Sequence, residues 1–183
     1  TDLSNYGGAV IDERAYAKSA RAIERAKGAP GVTIAVGGEC DDSEGYFVRP
    51  TVLLSDDPTD EAFRDEYFGP ILAVHVFDGD KWDDVLGVID AGSAYALTGA
   101  VIADDRAAVL DAQHRLRHAA GNFYVNDKPT GAVVGQQPFG GSRPSGTHDK
   151  AGSALNLLRG KSARSLKETF LPPADHNYPH TEA

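Results

Sequence analysis

An α/β fold, a layer of parallel strands with flanking helices, is what this 183-residue sequence predicts. Three observations carry that expectation. From Ile71 onward the elements run strand, helix, strand, helix, strand, an alternation that favours parallel βαβ units over a sandwich or a bundle. Trp82, Val85, Leu86 and Ile89 fall at i, i+3, i+4 and i+7, the stripe of a helix lying on a sheet. The last strand of the run feeds a loop from Lys128 to Gly146 that holds five glycines and three prolines. Long loops of this kind in compact domains tend to be functional, and an apolar run such as Ala132-Val133-Val134 is not what a solvated linker carries.

The elements follow in order. Asp12 to Lys27 reads as a helix with Asp12 as N-cap and Gly28 as terminator; Tyr16, Ser19/Ala20, Ile23 and Ala26 recur at helical spacing. Its narrow, alanine-rich stripe predicts close packing on a sheet. Thr33 to Val36 and Tyr46 to Leu54 read as strands, and Pro50 places the second at an edge or a strand end. Asp56 to Asp65 has room for a helical turn, and Gly69-Pro70 breaks whatever precedes it. Ile71 to Phe77 predicts a buried strand, followed by the Trp82 helix closing at Gly92. Ala100 to Ala103 is the next strand. Asp105 to His118 is a helix with Val109, Ala112, Leu116 and Ala119 inward. Phe123 to Asn126 delivers its C-terminal end to the loop. Beyond it, Ala151 to Leu158 predicts a short helix, Ser162 to Phe170 an extended strand ended by Pro172-Pro173, and Ala174 to Ala183 a tail with little to bury.

Composition narrows the function classes. Twenty-seven acidic against 18 basic residues, a formal net charge of −9, argue against a nucleic-acid partner, and no Lys/Arg run makes a local exception. No apolar run approaches the ~20 residues of a membrane span, and no secretory signal is expected. A single cysteine cannot form an internal disulfide, which fits a reducing compartment. The absence of methionine predicts a piece of a longer protein.

Several constellations fail as catalytic sites. Cys40 is the only thiol, and Glu39, Asp41 and Asp42 disfavour its thiolate. His114 and His118 stand one helical turn apart, but zinc needs three or four ligands and no third is evident, so no metal is expected. Gly160-Lys161-Ser162 lacks the earlier glycine of a phosphate-binding loop, where Leu155 stands. Pro144-Ser145-Gly146 lacks the glycine of a nucleophile elbow, where Arg143 stands. Glu66 and Phe68 share a face if Asp65 to Phe68 is extended, putting an acceptor for ribose hydroxyls beside a ring that can pack on a heterocycle; spacing alone leaves open a solvated acid beside a core aromatic.

Together, Glu66-Tyr67-Phe68-Gly69-Pro70, Asn122-Phe123-Tyr124-Val125-Asn126 and Pro138-Phe139-Gly140-Gly141-Ser142-Arg143-Pro144-Ser145-Gly146 resemble the C-terminal half of the aldehyde dehydrogenase superfamily. Asn126-Asp127-Lys128 and Gly135-Gln136-Gln137-Pro138 are similar to the branch that oxidises L-glutamate γ-semialdehyde, formed from Δ1-pyrroline-5-carboxylate, to L-glutamate in proline catabolism. The resemblance implies the C-terminal part of a catalytic domain over residues 1–160, an oligomerisation strand over 161–171 and a tail over 172–183. It implies NAD as cofactor and a homo-oligomer, in the cytoplasm of a bacterium or the mitochondrial matrix of a eukaryote.

The family's chemistry is thiolate attack on the aldehyde, hydride transfer and thioester hydrolysis, and its nucleophilic cysteine and general-base glutamate belong to a part preceding the matched region. No catalytic residue is therefore expected in this chain, which alone should be inactive. By resemblance, Glu66 binds the nicotinamide-ribose hydroxyls and Phe68 packs by the nicotinamide. Gly131 and Ala132 anchor the substrate carboxylate through backbone N–H groups, and Phe139 lines the substrate pocket. Two departures stand out: Ala132 replaces a residue that can be serine, and Gly160-Lys161 follows Arg159 where an aromatic is expected. A truncated, non-catalytic assembly module and an aldehyde dehydrogenase of another substrate branch are the alternatives.

Overall fold

The computed structural model describes residues 4–133, 135–147, 149–171, 174, 176 and 177. Helix α1 (Glu13–Gly28) begins where expected, with the Asp12 carboxylate accepting from Ala15 N–H at 2.8 Å. Its buried stripe is Ser19, Ala22, Ile23 and Ala26, three of them small enough to let the helix lie close. Burying Ile23, 1% exposed, contributes about 1.5–3 kcal/mol relative to leaving it in water.

Strand β1 (Val32–Val36) pairs antiparallel with β4 (Thr51–Ser55), and β4 pairs in parallel with β5 (Ile71–Val74). The stretch from Tyr46 to Leu54 is split rather than continuous. Its first part, β3 (Phe47–Val48), turns away at Pro50 to pair with β2 (Cys40–Asp41), a strand the sequence reading missed because two residues carry no periodicity. β5 is shorter and less buried than expected: Leu72, Val76 and Phe77 are all exposed, since among the described residues β4 is its one ladder neighbour.

Helix α2 (Glu61–Arg64) is the turn anticipated before Gly69-Pro70. After β5, helix α3 (Trp82–Gly92), strand β6 (Thr98–Val101), helix α4 (Arg106–Arg115) and strand β7 (Asn122–Val125) form the second layer, with β6 and β7 parallel. The alternation thus gave parallel pairing correctly. It did not anticipate that β5 and β6 belong to separate sheets among the described residues. Leu86, Ala112 and Leu116 form this layer's core, with Trp82, Val101, Ala119 and Phe123 against it. The Trp82 indole N–H is satisfied by Asp111 at 2.8 Å.

Helix α5 (Ala154–Leu157) follows, and residues 161–170 form no ladder among the described residues and are exposed throughout. The expected strand there has no ladder partner among the described residues. Most of the tail from 172 onward lies outside the described residues. No described helix is long and apolar enough to cross a membrane.

Candidate cofactor turn and substrate loop

The five residues singled out in the sequence fall on two structures. Glu66 and Phe68 lie on the turn between α2 and β5, which α1 holds from one side. Lys18 donates its ammonium group to the Glu66 carbonyl oxygen. One residue on, the fully buried Ser19 faces Gly69, where an added Cβ would collide with the hydroxyl. Arg25 grips Asp60 with two hydrogen bonds of 3.0 and 2.8 Å, and its Nε lies 3.3 Å from Glu61 without hydrogen-bond alignment. Glu61 in turn accepts from the Tyr67 hydroxyl at 2.9 Å. Burial, then that hydrogen bond, pushes the Tyr67 pKa up to about 12, so the phenol stays protonated.

Phe68 has φ 58° and is 82% exposed. The expectation that Glu66 and Phe68 share the face of an extended segment is therefore wrong: a left-handed residue breaks the alternation. Such a conformation costs an aromatic residue about 1–3 kcal/mol and persists because the contacts around it impose it. The Glu66 carboxylate is exposed and has no hydrogen-bond or ion-pair partner among the described residues.

Arg25 lowers the Asp60 pKa chiefly through their hydrogen bonds. A depressed carboxylate contributes stability above its unfolded pKa and loses it as pH falls through the folded one. Arg25→Met is expected to speed amide exchange across Asp60 to Gly69 by roughly tenfold to a hundredfold near neutral pH, the worth of one charged hydrogen bond. The difference from the parent protein should vanish once pH drops below the folded pKa of Asp60, which exchange protection measured down that range will show.

Gly131, Ala132 and Phe139 lie on the loop after β7. Asn126, at φ 53°, ends the strand, and its amide exchanges hydrogen bonds of 2.9 and 3.1 Å with the backbone of Ala103. The Thr98 hydroxyl then donates to the Pro129 carbonyl oxygen at 2.7 Å. Gly131 sits at φ 75°. Among the described residues neither its N–H nor that of Ala132 has an acceptor in the protein, whereas Val133 N–H is taken by Gln137 Oε1 at 2.7 Å. The far end of Lys128 lies alongside: a Cβ on Gly131 would stand 3.9 Å from both its Cε and Nζ. Phe139, half-exposed, is anchored by its N–H to the Ala151 carbonyl at 3.0 Å.

The loop's return is pinned to the second layer. Ser142 N–H reaches the Ala96 carbonyl at 2.9 Å, and Ala96 N–H donates to the Ser145 hydroxyl at 2.9 Å, a structural use for that serine. Arg143 caps the carbonyl end of α3, donating to Asp90 O at 2.7 Å and Ser93 O at 3.1 Å and pairing with the Asp90 carboxylate. Lys150 donates to Gly121 O, Asn122 Oδ1 and Gly140 O at 2.7, 2.7 and 3.2 Å. Among the described residues the left-handed non-glycine positions, Phe68, Asn126, Arg143 and Lys150, lie in or border the turn or the loop. No described hydrogen bond or ion pair joins the two.

Cys40 stands in β2, and its pKa is raised first by burial, with Glu39 adding and Lys27 opposing. The acidic neighbours named from the sequence are thus secondary. His114 accepts from Arg117 through its carbonyl at 2.7 Å, and no group of three or more metal-binding side chains occurs among the described residues. An apolar cavity of about 390 Å³ lies between α3 and the segment that follows β5, reached by Phe63, His75, Phe77 and Tyr95, and none of the five predicted residues lines it.

A glycine-rich loop returning onto a parallel pair, and a separate turn carrying an exposed carboxylate, are the two candidate sites of a chain whose family is a family of oxidoreductases. Residues 2–158 match the aldehyde dehydrogenase family, and the chain belongs to it. Its fold superposes with a TM-score of 0.85 on the Delta-pyrroline-5-carboxylate dehydrogenase of Mycobacterium tuberculosis bound with NAD, at 70% identity, covering 100% of this chain and 33% of that one. The mitochondrial Delta-1-pyrroline-5-carboxylate dehydrogenase of Dictyostelium discoideum is 50% identical over 98% of this chain and 32% of its own length. The human protein of that name is 45% identical over 99% and 32%. The chain thus spans about a third of the length of the curated relatives it matches.

Proposed function

We propose that this chain is the part of an NAD-dependent L-glutamate γ-semialdehyde dehydrogenase that holds the nicotinamide ribose and the substrate carboxylate. The rest of the same polypeptide supplies the thiol nucleophile and the general base. The observation that carries the substrate side is the pair of adjacent N–H groups at Gly131 and Ala132, unpartnered among the described residues, while the next N–H, that of Val133, is taken by the Gln137 side chain. Successive amides of this kind form an anion-binding concavity, and Ala132 leaves the contact to the backbone alone. Phe139 walls the aliphatic part of the substrate.

On the cofactor side Glu66 fits the group: a carboxylate with free lone pairs, on a turn fixed by Lys18, can accept from two ribose hydroxyls. NAD supplies the hydride acceptor. The chain's own contribution is to hold the ribose so that the reacting ring is fixed in place, with Phe68 packed beside it.

The same reading assigns residues 161–171 to a second subunit. Leu166, Phe170 and Leu171 are 81–88% exposed, with no ladder partner among the described residues, as an arm that pairs elsewhere requires.

Glu66→Gln keeps one acceptor oxygen and loses the charge. In the full-length enzyme it is expected to raise KM for NAD roughly tenfold, the loss of about one charge-assisted hydrogen bond, with KM for the aldehyde little changed. Unchanged kinetics in NAD would remove Glu66 from the cofactor site. Turnover of L-glutamate γ-semialdehyde no better than that of unrelated aldehydes would place the enzyme in another branch.

A further inference from the structure

We propose that Lys150 is a positioning residue for the substrate loop, its ammonium group tying the start of β7 to the loop's return so that Gly131 and Ala132 keep their geometry. The inference rests on the reading of that loop as the carboxylate site.

The Lys150 side chain is partly buried, and each of its three ammonium hydrogens has an acceptor: Gly121 O, Asn122 Oδ1 and Gly140 O. Gly121 and Asn122 open the strand that leads into the loop, and Gly140 ends the segment that comes back from it. A single side chain therefore closes a circuit of about twenty residues. The three acceptors are neutral, and no ion pair to Lys150 occurs among the described residues. Its positive charge is thus spent on backbone and amide dipoles, a task a neutral side chain cannot perform, because three acceptors at one point require three donors. The residue adopts φ 55°, a conformation that lysine rarely takes. Directly before it, Asp149 is held by Arg159 at 2.8 Å and by the Thr147 hydroxyl, so the backbone leading to Lys150 is braced as well.

Closing a loop of this length carries an entropic cost that grows slowly with its size, and a tie at its neck offsets part of that cost. Without the tie the loop still closes through Ser142, Arg143 and Phe139, but the neck between Gly121 and Gly140 is released. The consequence falls on the substrate's carboxylate, which the loop holds, and spares the cofactor turn, to which no described bond connects it.

Lys150→Ala in the full-length enzyme tests this. It removes the atoms of a propylammonium ion, so added propylammonium can refill the site. We expect KM for L-glutamate γ-semialdehyde to rise about tenfold, the worth of about one charged hydrogen bond, with KM for NAD unchanged and faster amide exchange across 128–141. Propylammonium chloride, but not sodium chloride at equal ionic strength, should restore a large part of the lost KM. Lys150→Arg, which keeps the charge and several donors, should fall between. Unchanged exchange in the loop would overturn the proposal, as would a loss that no alkylammonium and no arginine relieves. If exchange quickens and propylammonium reverses it, yet acidic and neutral aldehydes suffer equally, Lys150 holds the loop as proposed, and it is the carboxylate reading that fails.

Discussion

Gly121→Ala is expected to be the most disruptive small substitution in this chain. A Cβ at residue 121 would stand 2.6 Å from Gly141 Cα and 2.8 Å from the Gly140 carbonyl carbon, with the Gly140 oxygen closer still. All three are backbone atoms, so no rotamer change relieves the clash. Either β7 shifts on β6 or the loop's return lifts off, and lifting it breaks the Lys150 bonds and the Ser142 bond to Ala96. Overpacking of this kind costs typically 1–3 kcal/mol, and a backbone-against-backbone contact belongs at the top of that range, about 3 kcal/mol. Chemical denaturation and amide exchange of the loop in the full-length protein will check it. A change confined to less than about 0.5 kcal/mol, the scatter of ordinary surface substitutions, would mean the loop's return does not pack here.

Gly131→Val acts by a different route. At φ 75° a β-branched residue is strained, although the space around the glycine is open, with Lys128 atoms no nearer than 3.9 Å. The expected result is a re-aimed peptide, leaving the fold intact. If the adjacent N–H groups bind the substrate carboxylate, kcat/KM for L-glutamate γ-semialdehyde falls by roughly tenfold to a hundredfold, while a neutral aldehyde of the same length is nearly unaffected. One charged hydrogen bond, about 1.5–3 kcal/mol, sets that range.

Much of the fold was legible because its signals are local. The Asp12 cap, the Ser19 to Ala26 stripe and the strand-helix order after Ile71 are read from neighbours in sequence, and each formed as expected. What failed depends on distant partners. β5 reads as a buried strand because its residues are apolar, yet a strand's burial is decided by what covers its edge and face. The Glu66 and Phe68 face was lost because nothing in the sequence marks a left-handed phenylalanine; α1 and the buried Ser19 against Gly69 accompany it.

The candidate site divides the same way. Gly131, Ala132, Phe139, Glu66 and Phe68 came from motifs. The residues that fix them, Lys18, Arg25 and Lys150, went unnoticed. Lys18 and Lys150 bond largely to carbonyl oxygens, which every residue possesses, and the Asp60 partner of Arg25 lies 35 residues away.

On the proposed function, this loop selects an acidic aldehyde. The most direct test of that selection is the ratio of kcat/KM for L-glutamate γ-semialdehyde over a neutral aldehyde of equal length, measured with NAD in the full-length enzyme and in Gly131→Val. A ratio that is large in the parent and falls by roughly tenfold or more in the variant is the predicted result. A ratio unchanged by the substitution, with both rates intact, would contradict the claim and put the carboxylate contact outside this loop.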